Sequence, residues 1–148
     1  MKWLLDSNVL SEQVRIRPKA SVIAWVRQQD RQQIVTSIVV VAELRRGAVA
    51  TDDPRRRREL TTWIDTEVSN SFAGRILPVT LEILIDWLEL IRRTAASGKT
   101  RAPADLLIAS TARVHDLVLV TRNVRDFADT GVLVYDPWTG ETHKMEQP

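Results

Sequence analysis

The opening stretch, Lys2-Trp3-Leu4-Leu5-Asp6-Ser7-Asn8, constrains this fold more than any other. A short apolar run without turn residues ends in a carboxylate and two small polar side chains. Such a run reads as a buried strand, although periodicity alone also permits a helix. Central parallel strands are buried on both faces, so their apolar residues run on rather than alternate. Asp6 then stands at the carboxyl end of a strand, the edge where open α/β sheets bind ligands. A buried carboxylate without a partner costs several kcal/mol, so Asp6 needs a helix cap, a cation or water.

Parallel strands need helical crossovers, and the chain supplies them. A helix over 18–29 takes Pro18 in its first turn and carries Val22, Ile23, Trp25 and Val26 on a rough apolar face. Ile34-Val35-Thr36 reads as the second strand. Propensity alone would extend it through Ile38-Val39-Val40-Val41. Ser37 can instead cap a helix over 38–48, on which Ile38, Val41, Ala42 and Arg45 fall at helical spacing. Asp53-Pro54 is a helix start, and Leu60, Trp63, Ile64 and Val68 keep helical spacing to about residue 69. A short third strand covers 75–79, where Pro78 argues for a sheet edge. Thr80 caps an amphipathic helix with Leu81, Leu84, Ile85, Leu88, Ile91 and Ala95 along one side, ended by Gly98. Pro103 opens the next helix, to about residue 115. Leu117-Val118-Leu119-Val120-Thr121 is the clearest strand, 122–127 is a turn, and 132–135 is the last strand.

This alternation implies a mostly parallel sheet of four to five strands covered by helices on both faces, a three-layer α/β/α fold. With 148 residues and short loops, the chain reads as one domain over 1–140, followed by a tail over 141–148 that is expected to fray. The absence of cysteine excludes a disulfide framework and a thiolate metal site, and fits the cytoplasm. No apolar run approaches the ~18 residues of a spanning helix, so no membrane role is expected. The sequence pI of about 9.4 is a mild pointer to an anionic partner.

Acidic and amide residues recur at equivalent places in this wiring. Asp6 ends the first strand, and Glu43 lies less than two turns past the second. Asp105 begins the helix leading into the fourth, and Asn123 and Asp126 follow the fourth. Singly, each has an ordinary explanation: a cap, a helix-dipole partner for Asp105, an ion pair with Arg46 for Glu43. Together they gather oxygen ligands on one sheet edge, which suits a hard cation such as Mg²⁺ or Mn²⁺. Arg55-Arg56-Arg57-Arg58 reads as a solvated helix face. Arg45, Arg46, Arg122 and Arg125 lie near the proposed site and can meet phosphates. The tryptophans read as core, and His115 as a helix-end residue.

Leu4-Leu5-Asp6-Ser7-Asn8-Val9-Leu10-Ser11-Glu12, Ala42-Glu43-Leu44-Arg45-Arg46-Gly47, Ala104-Asp105-Leu106-Leu107-Ile108-Ala109 and Val120-Thr121-Arg122-Asn123-Val124-Arg125-Asp126-Phe127 resemble the motifs of the PIN-domain family, in its order and spacing. The chain is most similar to the VapC/FitB-like toxin ribonucleases of type II toxin–antitoxin pairs, over about residues 2 to 138. Ser7 departs from the more usual Thr but keeps the hydroxyl.

The resemblance implies an endoribonuclease that hydrolyses RNA with Mg²⁺ or Mn²⁺. It implies that Asp6, Glu43, Asp105 and Asp126 hold the metal, with Asn123 sharing the fourth position and Ser7 and Asn8 orienting ligands. It also implies two protein partners, a VapB/FitA-like antitoxin and a second copy of the chain as a homodimer. The competing readings are a non-catalytic PIN-like RNA-binding scaffold and a haloacid-dehalogenase-like phosphatase. The phosphatase pattern wants a second Asp two residues after the first, and here that residue is Asn8.

Overall fold

The computed structural model describes residues 3–147. Lys2, read as part of the first strand's stretch, and Pro148, the end of the tail, lie outside the described residues. The chain runs β1 (Trp3–Leu5), α1 (Ser7–Ser11), α2 (Ala20–Gln28), β2 (Ile34–Ser37), α3 (Ile38–Val49) and α4 (Pro54–Trp63). A π-helical turn (Ile64–Val68) and the short α5 (Ser69–Ser71) continue α4. Then come β3 (Ile76–Leu77), α6 (Leu81–Ala96), α7 (Pro103–Val114), β4 (Val118–Val120), a 3₁₀ turn (Val124–Phe127), β5 (Leu133–Asp136) and β6 (Glu141–Lys144).

Local chemistry sets these boundaries. The Ser37 hydroxyl accepts the Val40 N–H at 3.2 Å, which stops β2 and starts α3 within the β-branched run. Asp53 and Thr80 cap α4 and α6 in the same way. The helix expected from Pro18 begins instead at Ala20. The carboxylate of Glu12, 2% exposed, takes the Lys19 N–H at 2.7 Å and fixes the turn into α2. Gly98, at φ +76°, ends α6 in a conformation that favours glycine.

Among the described residues the sheet has six strands, in the order β3-β2-β1-β4-β5-β6. All neighbours are parallel except β5 and β6. The expectation of four to five strands is therefore corrected. The segment after Gly140, expected to fray, pairs antiparallel with β5, Leu133 opposite Lys144 and Asp136 opposite Glu141. Glu141-Thr142-His143-Lys144 is polar on both faces, as an exposed edge strand tolerates, so it lacked an apolar signature. The proline-marked β3 is the other edge.

Leu4, Leu5, Leu119, Val120 and Val134 are completely buried at the centre of this α/β/α sandwich. Trp3, Trp25 and Tyr135 pack as an aromatic trio, with ring centroids 4.8–5.7 Å apart. In α6 the core is met by Ile83, Leu90 and Thr94. The apolar side marked by helical spacing is largely outside: Leu81, Leu84, Ile85 and Leu88 are exposed. Helical periodicity identified a stripe but not which stripe the domain covers. The strand order reverses between β1 and β4, and the carboxyl edge at such a switch point is where ligand crevices form.

Candidate active site

At that reversal Asp6 and Thr121 follow β1 and β4 side by side. The Asp6 N–H donates to the Val120 carbonyl at 3.0 Å, carrying the ladder one residue past β1. The Asp6 side chain is buried and fully engaged. Its Oδ1 accepts the Ser7 N–H at 2.7 Å, so it does cap α1. Its Oδ2 accepts the Thr121 hydroxyl at 2.7 Å and the Asn8 amide at 3.3 Å. Asn8 also donates to Thr121 Oγ1 at 3.0 Å and accepts the Arg122 N–H at 3.2 Å. The residue that a phosphatase would need as a second acid is thus an amide donor to the first.

Burial raises the Asp6 pKa, donors from Thr121 and Ser7 lower it, and the Asp126 charge raises it again. Glu43, half-buried in the second turn of α3, is pushed up to about 7, first by burial and then by the charges of Asp6 and Asp105. Arg46 and the Ser7 hydroxyl pull it back. Asp105, in the first turn of α7, is pushed up to about 6 by burial, then by Asp126 and Asp6. Asp6, Glu43, Asp105 and Asp126 therefore share one electrostatic neighbourhood.

Asp126 lies in the 3₁₀ turn after β4, and its charge is felt by both Asp6 and Asp105. Asn123 stands at the start of that turn, where its backbone N–H donates to Thr121 Oγ1 at 3.1 Å. Its side chain makes no capping hydrogen bond. Arg45 turns away to an ion pair with Asp65. Among the described residues no three acids already converge closely enough to grip an ion. Asp6 is held rigidly, whereas Glu43 and Asp105 are half-exposed side chains with room to adjust. The donor set is all oxygen, which fits a hard divalent cation.

Sequence reasoning missed Thr121 as a partner of Asp6. Its signal was position: a polar residue directly after an apolar strand, in the place Asp6 occupies on the neighbouring strand. It also missed the contact between Arg122 and Trp138, whose guanidinium and ring centroid are 5.4 Å apart. A groove of about 320 Å³ adjoins Glu43, lined also by Ser7, Asn8, Leu60, Trp63 and Ile64.

Residues 3–133 match the PIN domain. The chain is 34% identical over 135 residues to VapC ribonuclease Y4jK of Sinorhizobium fredii, covering 91% of this chain and 96% of that protein. It is 33% identical to Toxin FitB of Neisseria gonorrhoeae, covering 91% and 97%. Among solved structures, FitAcB from Neisseria gonorrhoeae superposes with a TM-score of 0.84 at 33% identity, covering 92% of this chain and 98% of that one. FitAB bound to an IR36 DNA fragment gives 0.84 at 32% identity, covering 95% and 99%.

Proposed function

Since this chain belongs to the PIN-domain family, we propose that it is the ribonuclease toxin of a toxin–antitoxin pair, hydrolysing RNA phosphodiester bonds with a divalent metal ion. The observation that carries the site assignment is the place of Asp6, Glu43, Asp105 and Asp126 at the switch point, where the charges of Asp6 and Asp105 raise the pKa of Glu43 and the charge of Asp126 raises those of Asp6 and Asp105. Like charges at one place raise one another's pKa values, and a cation relieves that repulsion. These four acids would hold Mg²⁺ or Mn²⁺. When bound, such an ion supplies positive charge for the phosphate and acidifies water near neutral pH.

The chain's own groups do the rest. Thr121, Ser7 and Asn8 hold the Asp6 carboxylate in one orientation, as outer partners of metal ligands do. The Glu43 carboxyl, raised to about 7 by burial and by Asp6 and Asp105, would be drawn into its deprotonated form when an ion is bound. Asn123 positions the turn through its backbone, and Asp126 is the acid of that segment. Arg46 and Arg125 border the acids and can meet neighbouring RNA phosphates.

Two partners follow. The solved FitAB and VapBC assemblies are toxin–antitoxin complexes, and a VapB/FitA-like antitoxin is assigned here to the groove beside Glu43. Its apolar side chains would lie on Leu60 and Trp63 and a basic one would meet the acids, since such ionised pairs make strong hydrogen bonds. A second copy of the chain would cover the exposed stripe of α6, because a two-fold contact uses one self-complementary patch twice. No described helix is long and apolar enough to cross a membrane, and the cytoplasm is the proposed location, where RNA is the substrate.

The test is cleavage of single-stranded RNA by the purified protein. Mg²⁺ or Mn²⁺ should support it, EDTA should abolish it, and Asp6→Asn should be inactive. Unchanged cleavage in EDTA would overturn the metal-dependent reading.

A further inference from the structure

Beside the acids lies a cation without an anion. Arg122 is exposed, and among the described residues no carboxylate stands within ion-pairing distance of it. Its guanidinium lies over the ring of Trp138, 5.4 Å from the centroid. Both residues are fixed from below. The Arg122 N–H donates to Asn8 Oδ1, on the same amide that holds Asp6. The Trp138 N–H donates to Oδ1 of the buried Asp136 at 2.8 Å, which pins the turn after β5. Because β5 runs parallel to β4, with Tyr135 opposite Val120, that turn overhangs the sheet edge that carries the acids.

We propose that Arg122 and Trp138 form a nucleotide subsite beside the acids, taking one base and an adjoining phosphate of single-stranded RNA. This rests on the ribonuclease reading and names where that reading's substrate is gripped. A guanidinium stacked on an indole keeps its N–H edge free for phosphate oxygens, in the planar geometry arginine favours. Its other face, and the half-exposed indole, present flat surfaces on which an unpaired base stacks whatever its identity. The bland alternative is a stack that only covers the turn. It predicts an effect on melting and none on RNA.

The test measures binding of a fluorescein-labelled single-stranded RNA by anisotropy in Mg²⁺, with Asp6→Asn as the non-cleaving parent. Arg122→Ala should weaken binding roughly tenfold and make the log–log salt dependence shallower by about one ion. Trp138→Ala should weaken it severalfold, and Trp138→Phe should restore most of the loss because the aromatic face returns. Arg58→Ala, on the exposed face of α4, should bind as the parent does. Arg122 is exposed, so its variant decides the matter even if Trp138→Ala folds poorly. A parent that binds while Arg122→Ala and Trp138→Ala bind equally well, with an unchanged salt slope, would overturn the subsite alone. A parent that binds no RNA would overturn the ribonuclease reading and the subsite together.

Discussion

The Thr121 hydroxyl donates to Asp6 Oδ2 at 2.7 Å, joining residues 115 positions apart at the carboxyl ends of adjacent strands. Thr121 has no exposed surface, and its oxygen also accepts from Asn8 and Asn123. One hydroxyl thus ties together the β1 end, α1 and the turn that carries Asp126.

Thr121→Val keeps the shape and removes the hydrogen bonds. It should lower metal affinity and cleavage about 10- to 100-fold, the usual effect of losing an outer partner of a metal ligand. Two amide donors left without their acceptor should also cost about 1–3 kcal/mol of stability. A metal titration of cleavage that matches the wild type would remove Thr121 from the site.

The raised pKa values predict how pH acts on the metal-free protein. Glu43 is pushed to about 7 and Asp105 to about 6 in the folded state. Both would titrate near ~4 in the unfolded chain. An acid raised by folding binds protons better when folded. Its contribution to stability is complete below the unfolded value and is lost as pH rises through the folded one. In EDTA the protein should therefore melt at higher temperature at pH 5 than at pH 8. Excess Mn²⁺ should oppose the trend, because ligation needs the deprotonated acids. The melting difference should shrink in Glu43→Gln; an identical difference there would contradict the assignment.

Much of this architecture was legible because its signals are local. Ser37 stops a β-branched strand through one short hydrogen bond, and Asp53-Pro54 and Thr80 announce their helices in sequence. The positions of Asp6, Glu43, Asp105 and Asp126 relative to the strand ends were legible from the alternation of strands and helices. What stayed hidden was non-local or weakly patterned. The Asp6–Thr121 bond depends on β1 pairing with β4, which no window of sequence contains. The helix α1 is five residues long, too short for periodicity. In α6, two apolar stripes compete, and only packing against α7 decides which is buried. Asn123 and Asp126 both sit in the turn after β4, where the Asp126 charge acts on Asp6 and Asp105 and the neutral Asn123 engages Thr121 through its backbone.

The stripe on α6 predicts a dimer. Ile85 and Leu88 are 60% and 61% exposed, so replacing them loses no core packing. Ile85→Glu combined with Leu88→Glu should leave melting of the subunit within about 0.5 kcal/mol of its own fold stability while splitting the dimer. Light scattering at micromolar concentration checks this. A wild-type chain that is monomeric there would count against a self-contact on α6.

Asp105→Asn removes one charge from a repelling group. In EDTA the variant should be as stable as the wild type or more so, although its cleavage is lost. Thermal melts and a cleavage assay on one preparation separate the two effects. A clear fall in metal-free stability would mean that Asp105 serves the fold and not the ion.

The central claim is that Asp6, Glu43, Asp105 and Asp126 act as one divalent-metal site. Calorimetric titration of Mn²⁺ into the metal-free protein at pH 7.5 or about that value tests it most directly. The wild type should bind with proton release, and Asp6→Asn and Asp105→Asn should each lose at least about tenfold in affinity. Wild-type affinity in both variants would contradict it.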